Sequence, residues 1–402
     1  MMSTDTAPAF VPGERTEIAS HLHAVPSWDV TDFPVPTGRE EIWRFTPLAR
    51  LRGLLEAPAG EARLTRSGSV PAGVTERIVT GEQARTLAGR PPMDRLAVLA
   101  AARAPEALHL DIPANAELSE PVIIRLHGEG AEQTVHGSTV ITVGAHAKAL
   151  IVLEHTGSAT YSAYTSVVVG DGAQVGLVEL QLWDDDAVHT GQTSVRIGRD
   201  AKVNAVTATF GGDLVRLTET TDYASTGGEL VKHGLYFADA GQHLEHRLFV
   251  DHGTPRATSL VDYRGALQGE KAHTVWIGDV LIRAAATDID TYESNKNLVL
   301  TDGCRADSVP NLEIETGEIA GAGHSSTTGR FDDEQLFYLM SRGIDEVEAR
   351  RLVVYGFLSD IIRRIGVPEI ESHLIAIVED ELARTIGAPT NLDHRGPDTE
   401  EN

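Results

Sequence analysis

The chain of 402 residues contains a single cysteine, Cys304, and this scarcity limits its chemistry. One thiol cannot form an internal disulfide, and it cannot supply the four cysteines of a structural zinc site or of a typical iron–sulfur cluster. Any cluster that the chain contacts must therefore take ligands from another chain. So little cysteine also indicates a reducing compartment, and we expect the cytoplasm.

Basic residues and long apolar runs are scarce as well. The chain has 34 Lys and Arg against 59 Asp and Glu, a formal charge of -25. Nucleic acids and anionic membranes bind positive surfaces, so we expect neither as a partner. No apolar run reaches the roughly 18 residues of a membrane span. Residues 1–16 lack the pattern of a secretion signal. The chain also lacks a Gly-Lys-Ser/Thr phosphate loop, so we do not expect a P-loop ATPase.

A repeat occupies the middle of the chain. Each copy has an apolar residue, a glycine, a small or polar turn and then a strand, and the fourth copy is looser. The copies start at Val143, Val169, Ile197 and Ser225, so the intervals between the starts are nearly equal. A fixed period of about 26–28 residues with short alternating strands is typical of a β-solenoid, because one coil buries its inner face only under the next. We expect the recurring glycine to form a corner with positive φ.

These patterns divide the chain into five parts. We predict a disordered N-terminus (1–16), a helical or mixed region (17–107), a β-helix core (108–328), a helical domain (329–387) and a disordered acidic tail (388–402). Trp43 and Phe45 are expected to anchor the second part by packing. Asp332 and Asp345 are expected to cap helices of the fourth part. The regions that flank the core are candidate caps for its open ends.

Two residues near the end of the repeat are candidates for chemistry. Cys304 is either a small buried apolar residue or a functional thiol, and Arg305 next to it favours the thiolate. His324 is either a hydrogen-bonded structural residue or a metal ligand. If one coil takes about 20–28 residues, the interval from Cys304 to His324 is close to one coil. This leads to the hypothesis that the two residues lie close together on adjacent coils.

Two other groups resemble active sites less closely. His243, His246 and His252 form a histidine-rich segment, but His243 and His246 face opposite sides of a strand, so we do not expect a metal site there. Asp184–Asp186 are candidates for the paired carboxylates of a β-helix enzyme that cleaves polysaccharides. Adjacent residues do not converge, so a polar loop is the favoured interpretation. A carbohydrate-active enzyme remains the alternative function.

Four segments resemble the SufB/SufD family, the scaffold subunits of the SUF iron–sulfur cluster assembly system. They are GREEIWRFTP at 38–47, ADSVPNLEI at 306–314, GHSSTTGR at 323–330 and DDEQLFYLMSRGID at 332–345. The resemblance extends over residues 38–387. It implies a mainly β fold, a right-handed parallel β-helix with an N-terminal helical region and a C-terminal helical domain. SufD is the better match, since cysteine is scarce and Ser325 stands where SufB-like chains commonly have glutamate.

The resemblance implies a non-catalytic scaffold that supports de novo cluster formation and iron acquisition. Such a chain would pair with SufB through the ends of the β-helix, hold no stable cofactor alone, and share a transient iron–sulfur cluster at the SufB interface. His324 matches the SufD histidine implicated in cluster formation. Cys304 falls where SufB carries its essential cysteine, so it is either a retained ligand or a relic, and Ala322 replaces a cysteine of many SufD chains. Homodimerisation of the chain alone stays open.

The resemblance also implies binding of the ATPase SufC through the C-terminal helices. We expect an exposed apolar strip on the second of these helices to form the contact. The candidate residues are Val354, Tyr355, Phe357, Leu358 and Ile361.

Overall fold

The computed structural model describes residues 21–23, 25–331, 333–364 and 368–386. Residues 1–16, the tail 388–402 and the expected cap Asp332 lie outside this range. Within it, the 3-10 helices are His21–His23, Val30–Asp32, Glu41–Trp43 and Leu48–Leu51. The α-helices are α1 Gly81–Leu87, α2 Arg95–Arg103, α3 Asp333–Ser341, α4 Glu346–Ile362 and α5 Pro368–Thr385. None of them has the length and hydrophobicity needed to cross a membrane.

Sixteen β-strands make up the middle of the described chain. They are β1 Thr65–Ser69, β2 Thr75–Val79, β3 Ala107–Ile112, β4 Val122–Val143, β5 Lys148–Val169, β6 Gln174–Trp183, β7 Val188–Ile197, β8 Lys202–Phe210, β9 Leu214–Tyr223, β10 Glu229–Ala238, β11 His243–His252, β12 Thr258–Leu267, β13 His273–Ile282, β14 Asp290–Val299, β15 Arg305–Ile314 and β16 Gly321–Arg330.

Apart from β1 and β2, which pair antiparallel with β4 and β3, the strands form a parallel β-solenoid of about eight turns, which confirms the predicted fold class. Sheet A consists of the first halves of β4 and β5 followed by β6, β8, β10, β12, β14 and β16. Sheet B consists of β3, the second halves of β4 and β5, and β7, β9, β11, β13 and β15. The long strands β4 and β5 belong to both sheets, and β5 bends at Gly157, which has a φ of 72°.

The sequence repeat corresponds to the register of the coils. Val143 pairs with Val169, and Val169 pairs with Ile197, so these three copies start where we predicted. Ile197 pairs with Tyr223 and not with Ser225. The fourth copy therefore begins two residues earlier than its sequence indicated, since the turn that follows Tyr223 is longer.

The recurring glycine has a different role from the one we expected. Gly170 does not have a positive φ, but a Cβ there would lie 2.6 Å from the backbone nitrogen of Ala145 on the preceding coil. The glycine is needed because neighbouring backbones approach closely, and the positive φ occurs two residues later, at Gly172 (66°). In neighbouring coils the same two positions are Gly144 with His146 and Gly198 with Asp200.

Three layers bury apolar side chains. The space between the sheets holds the largest cluster, with Val143, Val169 and Ile197 among its members. The N-terminal region covers the outer face of sheet B, where Trp43 packs near Leu214. The C-terminal helices α4 and α5 cover the outer face of sheet A. The strands in the middle of the solenoid are therefore buried on both faces.

The N-terminal region is anchored through a buried arginine. The Arg216 guanidinium lies 4.2 Å from the ring centre of Trp43, and its Nη1 is 2.7 Å from Asp94 Oδ2. Thr46 Oγ1 donates a 2.8 Å hydrogen bond to Glu245 Oε2. Trp43 is 4% exposed, which confirms its predicted packing role, whereas Phe45 is only half-buried.

We expected the C-terminal helices to cap the open end of the solenoid, and this expectation is wrong for α4 and α5. Their apolar faces pack sideways on the outer face of sheet A, because that face supplies the matching apolar residues. Within the described part of the chain, both sheets end on strands that are paired on one side only, β15 and β16. The predicted cap of α4 is confirmed, since Asp345 Oδ1 accepts a hydrogen bond from the Glu348 nitrogen at 3.0 Å.

Candidate functional site at the open end of the solenoid

The last strand of each sheet has a free edge. Among the residues that the structure describes, β15 pairs only with β13 and β16 pairs only with β14, each along its full length. The residues of β15 and β16 are half-buried or exposed, in contrast to the buried strands that precede them. A free edge of this length presents unpaired N–H and C=O groups to another strand.

His324 lies on β16, at the mouth of this open end. It is exposed, and it occupies the same side of the strand as Ala322, which packs against the cluster between the sheets. It pairs in register with Glu293 of β14. An imidazole in this position is accessible both from the interior of the solenoid and to a chain docked on the edge.

Glu293 is a buried acid directly next to His324, and our sequence analysis missed it. It is 2% exposed, and its Oε1 has no hydrogen-bond partner within the described structure. Burial raises the pKa of Glu293 to about 8, and the charge of Asp279 contributes to the rise. At neutral pH the side chain is therefore mostly a neutral acid. Alternation along the strand did not single it out, because it shares its face with neutral polar residues.

A buried hydrogen-bond network connects the terminal strands. Asn295 Nδ2 donates to Tyr236 Oη at 2.9 Å, and Tyr236 Oη donates to Asn297 Oδ1 at 2.7 Å. Asn297 Nδ2 reaches Thr328 Oγ1 of β16 at 3.4 Å, and Ser308 Oγ of β15 donates to Asn295 Oδ1 at 2.8 Å. Satisfied buried networks restrict their members to one geometry, so the strands that carry the candidate site are held rigidly.

Cys304 lies at the corner between β14 and β15. It is half-buried against the cluster between the sheets, and its Sγ is 3.3 Å from the Gly269 carbonyl oxygen. The Arg305 guanidinium, which we expected to favour the thiolate, instead contacts Asp307, with its Nε 2.7 Å from Oδ2. The structure thus directs the nearest positive side chain in sequence away from the thiol.

The structure does not bring Cys304 and His324 together. The corner that holds Cys304 meets the end of β16, where Arg330 Nη1 donates to Asp302 Oδ1 at 2.9 Å. His324 lies near the middle of the same extended strand, well before Arg330. At about 3.3 Å per residue, the stretch from His324 to Arg330 is roughly 20 Å of strand. The two residues are on the terminal coils, as predicted, but they are at different positions around the coil.

Comparison with known proteins identifies the family. The model of the SUF system iron–sulfur cluster assembly SufBD core domain matches residues 125–357. The chain is 49% identical over 369 residues to an iron–sulfur cluster assembly SufBD family protein of Mycobacterium tuberculosis, with 89% of this chain and 92% of the relative covered. The chain belongs to the SufBD family.

More distant relatives in this family carry the name SufD. The iron–sulfur cluster assembly protein SufD of Bacillus subtilis is 34% identical over 110 residues, which cover 27% of this chain and 25% of that protein. SufD of Escherichia coli is 24% identical over 172 residues, covering 43% and 40% of the two chains. The chain is therefore SufD-like, as its sequence motifs indicated.

The SufBD resemblance led us to expect an exposed apolar strip on α4, and this expectation is wrong for three of its five residues. Val354, Leu358 and Ile361 are fully buried against sheet A and α5. Tyr355 and Phe357 are half-buried at the margin of the same cluster. The apolar face of α4 is used within the chain, because the outer face of sheet A needs a cover.

Exposed apolar side chains lie instead on α3 and at the start of α4. Phe337 is 73% exposed, Tyr338 57% and Met340 43%, and Val347 of α4 is 46% exposed. Phe337 and Met340 have an i, i+3 spacing, so they lie on one face of α3. We call these four residues the α3 patch.

The structure places the three histidines of the histidine-rich segment in different surroundings. His243 lies under the N-terminal region, with its Nε2 3.3 Å from Glu245 Oε2, whereas His246 stacks on Tyr236 between the sheets. These two histidines face opposite sides of β11, as predicted. His252 stacks on Tyr223. The acidic triplet Asp184–Asp186 is an exposed turn between β6 and β7, as expected for a polar loop.

Proposed function

We propose that this chain is a SufD-like, non-catalytic scaffold subunit of the SUF system that pairs with SufB and binds the ATPase SufC in the cytoplasm. The observation that carries the proposal is the pair of free edges on β15 and β16 beside His324. In this role the chain supports de novo cluster formation and iron acquisition without hydrolysing ATP itself.

Strand addition at the open end supports pairing with SufB. A second solenoid that adds its own terminal strands to β15 and β16 satisfies two rows of backbone groups at once. The exposed inner residues of β16, such as Ser326, then lie in the interface. The same geometry supports self-pairing when SufB is absent, so SufB and a second copy compete for one surface.

The ligand supply supports a cluster that is shared and transient. The open end offers His324 as an exposed imidazole, and Cys304 is a half-buried thiol roughly 20 Å of strand away. One histidine does not hold a cluster, so most ligands come from the paired chain. In this proposal the cluster is the product of the assembly, and His324 is the ligand that this chain contributes.

The α3 patch is our revised candidate for the SufC contact. Its four side chains are exposed, whereas the α4 residues first expected there are largely occupied within the chain. Exposed apolar patches on otherwise charged surfaces are typical of protein interfaces. Of the original residues, only Tyr355 and Phe357 retain accessible surface for a partner.

The pairing test is co-purification of the tagged chain with SufB and SufC from the same organism. Ser326→Arg places a long charged side chain at the mouth, and we expect it to abolish SufB recovery while the chain stays folded. Ser69→Arg is the matched control, because Ser69 is exposed on another edge strand, β1, at the opposite end of the solenoid. Equal SufB recovery with both variants would overturn the proposed interface.

The cluster test is anaerobic reconstitution on the co-expressed complex. We expect His324→Ala to reduce the absorbance of the cluster strongly, and the comparison with Cys304→Ser decides whether the thiol is a ligand or a relic. The chain alone serves as the reference sample. A stable cluster, or substrate turnover, on the isolated chain would contradict the scaffold role.

A further inference from the structure

We infer that His23, Glu313 and Glu315 form a binding site for a divalent transition-metal ion on the outer face of sheet B. This inference goes beyond the proposed function and does not depend on it. Within the described residues, this is the one place where three potential metal-ligand atoms from His, Cys, Asp or Glu lie within 4.8 Å of one another.

The distances from the imidazole nitrogen to the two carboxylates fit ligands of one ion. His23 Nε2 is 2.9 Å from Glu313 Oε1 and 3.4 Å from Glu315 Oε1. Two donors that each lie about 2.1 Å from a metal are about 3.0 Å apart at an octahedral angle and about 3.4 Å apart at a tetrahedral one. An ion could therefore enter with little movement of the side chains. All three side chains are between 30% and 40% exposed, so solvent has access to the donors.

The N-terminal 3-10 helix holds His23 in place. Leu22, the residue before it, is 4% exposed and packs against Phe249 and Leu281 on the outer face of sheet B. His21 Nε2 is 3.2 Å from Asp279 Oδ1. Two anchored residues therefore precede His23, and they place its ring over β15.

The two glutamates are positioned by the solenoid. Glu313 is the penultimate residue of β15 and pairs in register with Leu281, the residue that Leu22 covers. Glu315 follows the strand, and its Oε2 accepts a hydrogen bond from the Ala284 nitrogen at 3.0 Å. This bond leaves Oε1 directed towards His23, so the free lone pairs of both carboxylates converge on one imidazole nitrogen.

A cation satisfies this arrangement better than a hydrogen bond does. The single Nε2 proton forms one good hydrogen bond, to one carboxylate. Two carboxylates approach this nitrogen, however, and their charges repel each other. The charges of Arg283 and Glu315 interact, but the Arg283 guanidinium donates hydrogen bonds to both oxygens of Asp251, at 2.6 and 2.9 Å. A divalent ion accepts one lone pair from each of the three ligands and neutralises the two acids.

The donor set identifies the class of ion. Imidazole suits Zn²⁺ and Fe²⁺, and carboxylate suits Mn²⁺ and harder ions, so one histidine with two glutamates fits Fe²⁺, Mn²⁺ or Zn²⁺ better than Mg²⁺ or Ca²⁺. Three protein ligands leave coordination positions for water. The ion would also tie the N-terminal segment to the last coil of sheet B.

The test is Mn²⁺ binding to the purified full-length chain, with Mg²⁺ in excess to saturate diffuse binding by the acidic surface. Electron paramagnetic resonance counts the free Mn²⁺, and we expect one bound ion per chain. Nitrogen coupling from the imidazole should appear in the pulsed spectrum. Bound metal should also raise the unfolding temperature, because the ion binds the folded state.

His23→Ala, Glu313→Gln and Glu315→Gln are each expected to weaken Mn²⁺ binding roughly tenfold or more, a difference of about 1.4 kcal/mol per factor of ten. The matched control is His373→Ala, which removes an exposed histidine that faces a single carboxylate, Glu154. The site is refuted if excess Mg²⁺ abolishes Mn²⁺ binding, if nitrogen coupling persists in His23→Ala, or if His373→Ala weakens binding as much as the site variants do.

Discussion

Glu293 and His324 occupy the same position on neighbouring strands of sheet A, so a buried neutral acid lies next to the exposed imidazole at the open end. The carboxyl group of Glu293 fills the space beside Gly278, on the facing strand of sheet B. This acid is part of the packing under the candidate site, and its substitutions report on that packing.

Glu293→Gln should leave the free energy of unfolding at pH 7 within about 1 kcal/mol of the wild type, because the amide has the shape of the protonated acid. Glu293→Ala should lower it by about 2 kcal/mol or more, since it leaves a cavity. Urea unfolding measures both, and Glu318→Gln on the exposed loop is the control. If Gln is as harmful as Ala, the side chain is not held as a neutral acid.

Three buried histidines should make the protein sensitive to mild acid. Burial lowers the pKa values of His155, His246 and His252 to about 4. In the unfolded chain these groups titrate near 6.5, so as the pH falls from about 6.5 to 4 only the unfolded state gains their protons. The stability contributed by these neutral histidines is therefore fully present above pH 6.5. The free energy of unfolding falls by up to about 3 kcal/mol per histidine by pH 4.

His246→Phe tests this linkage, because the ring can keep its stacking on Tyr236 without titrating. We expect the variant to lose less stability than the wild type between pH 7.5 and 4.5 in urea unfolding. Leu248→Ala, on the same inner face of β11, should lower stability equally at both pH values. An identical pH dependence for His246→Phe and wild type would exclude His246 as a contributor.

Gly170→Ala should destabilise the solenoid by about 1–3 kcal/mol, because the added methyl group collides with the backbone of the preceding coil. The backbone nitrogen of Ala145 lies only 2.6 Å from the new Cβ position. Gly317→Ala is the control, since nothing lies within 4 Å of its Cβ position. Thermal and urea unfolding compare the two, and equal stability would show that the coils can separate without cost.

Leu358→Asp should lower the stability of the protein strongly, whereas Phe337→Asp should leave it nearly unchanged. Leu358 is fully buried, so an unpaired charge there should detach α4 and lower stability by more than about 3 kcal/mol. Phe337 is 73% exposed, so its substitution should change stability by less than about 0.5 kcal/mol. Hydrogen exchange of α4 distinguishes the two, and protected amides in Leu358→Asp would contradict the packing described here.

The sequence predicted those features that repeat along the chain. The paired positions Val143, Val169 and Ile197 are spaced by the coil itself, so a periodic pattern specifies their stacking. The cap at Asp345 is a local interaction within the first turn of α4. The role of Gly170 was not predictable, because a glycine needed for close approach and one needed for positive φ have the same letter.

Features that depend on position around the coil were not predictable. Coils near the open end are longer than the early ones. The paired residues Glu293 and His324 are further apart in sequence than the paired residues Val143 and Val169. The interval from Cys304 to His324 is therefore less than one turn. We assigned the apolar strip of α4 to a contact with SufC, because the sequence pattern alone did not specify whether sheet A or another chain covers it.

The hydrogen bond from Thr46 to Glu245 joins residues 199 positions apart. A ribosome that adds about 5–20 residues per second needs roughly 10–40 s to make that interval. During this time the N-terminal segment has been synthesised but lacks the coil on which it docks. Completion of the outer layer of sheet B therefore awaits the late coils, and the nascent chain exposes Trp43 until they emerge.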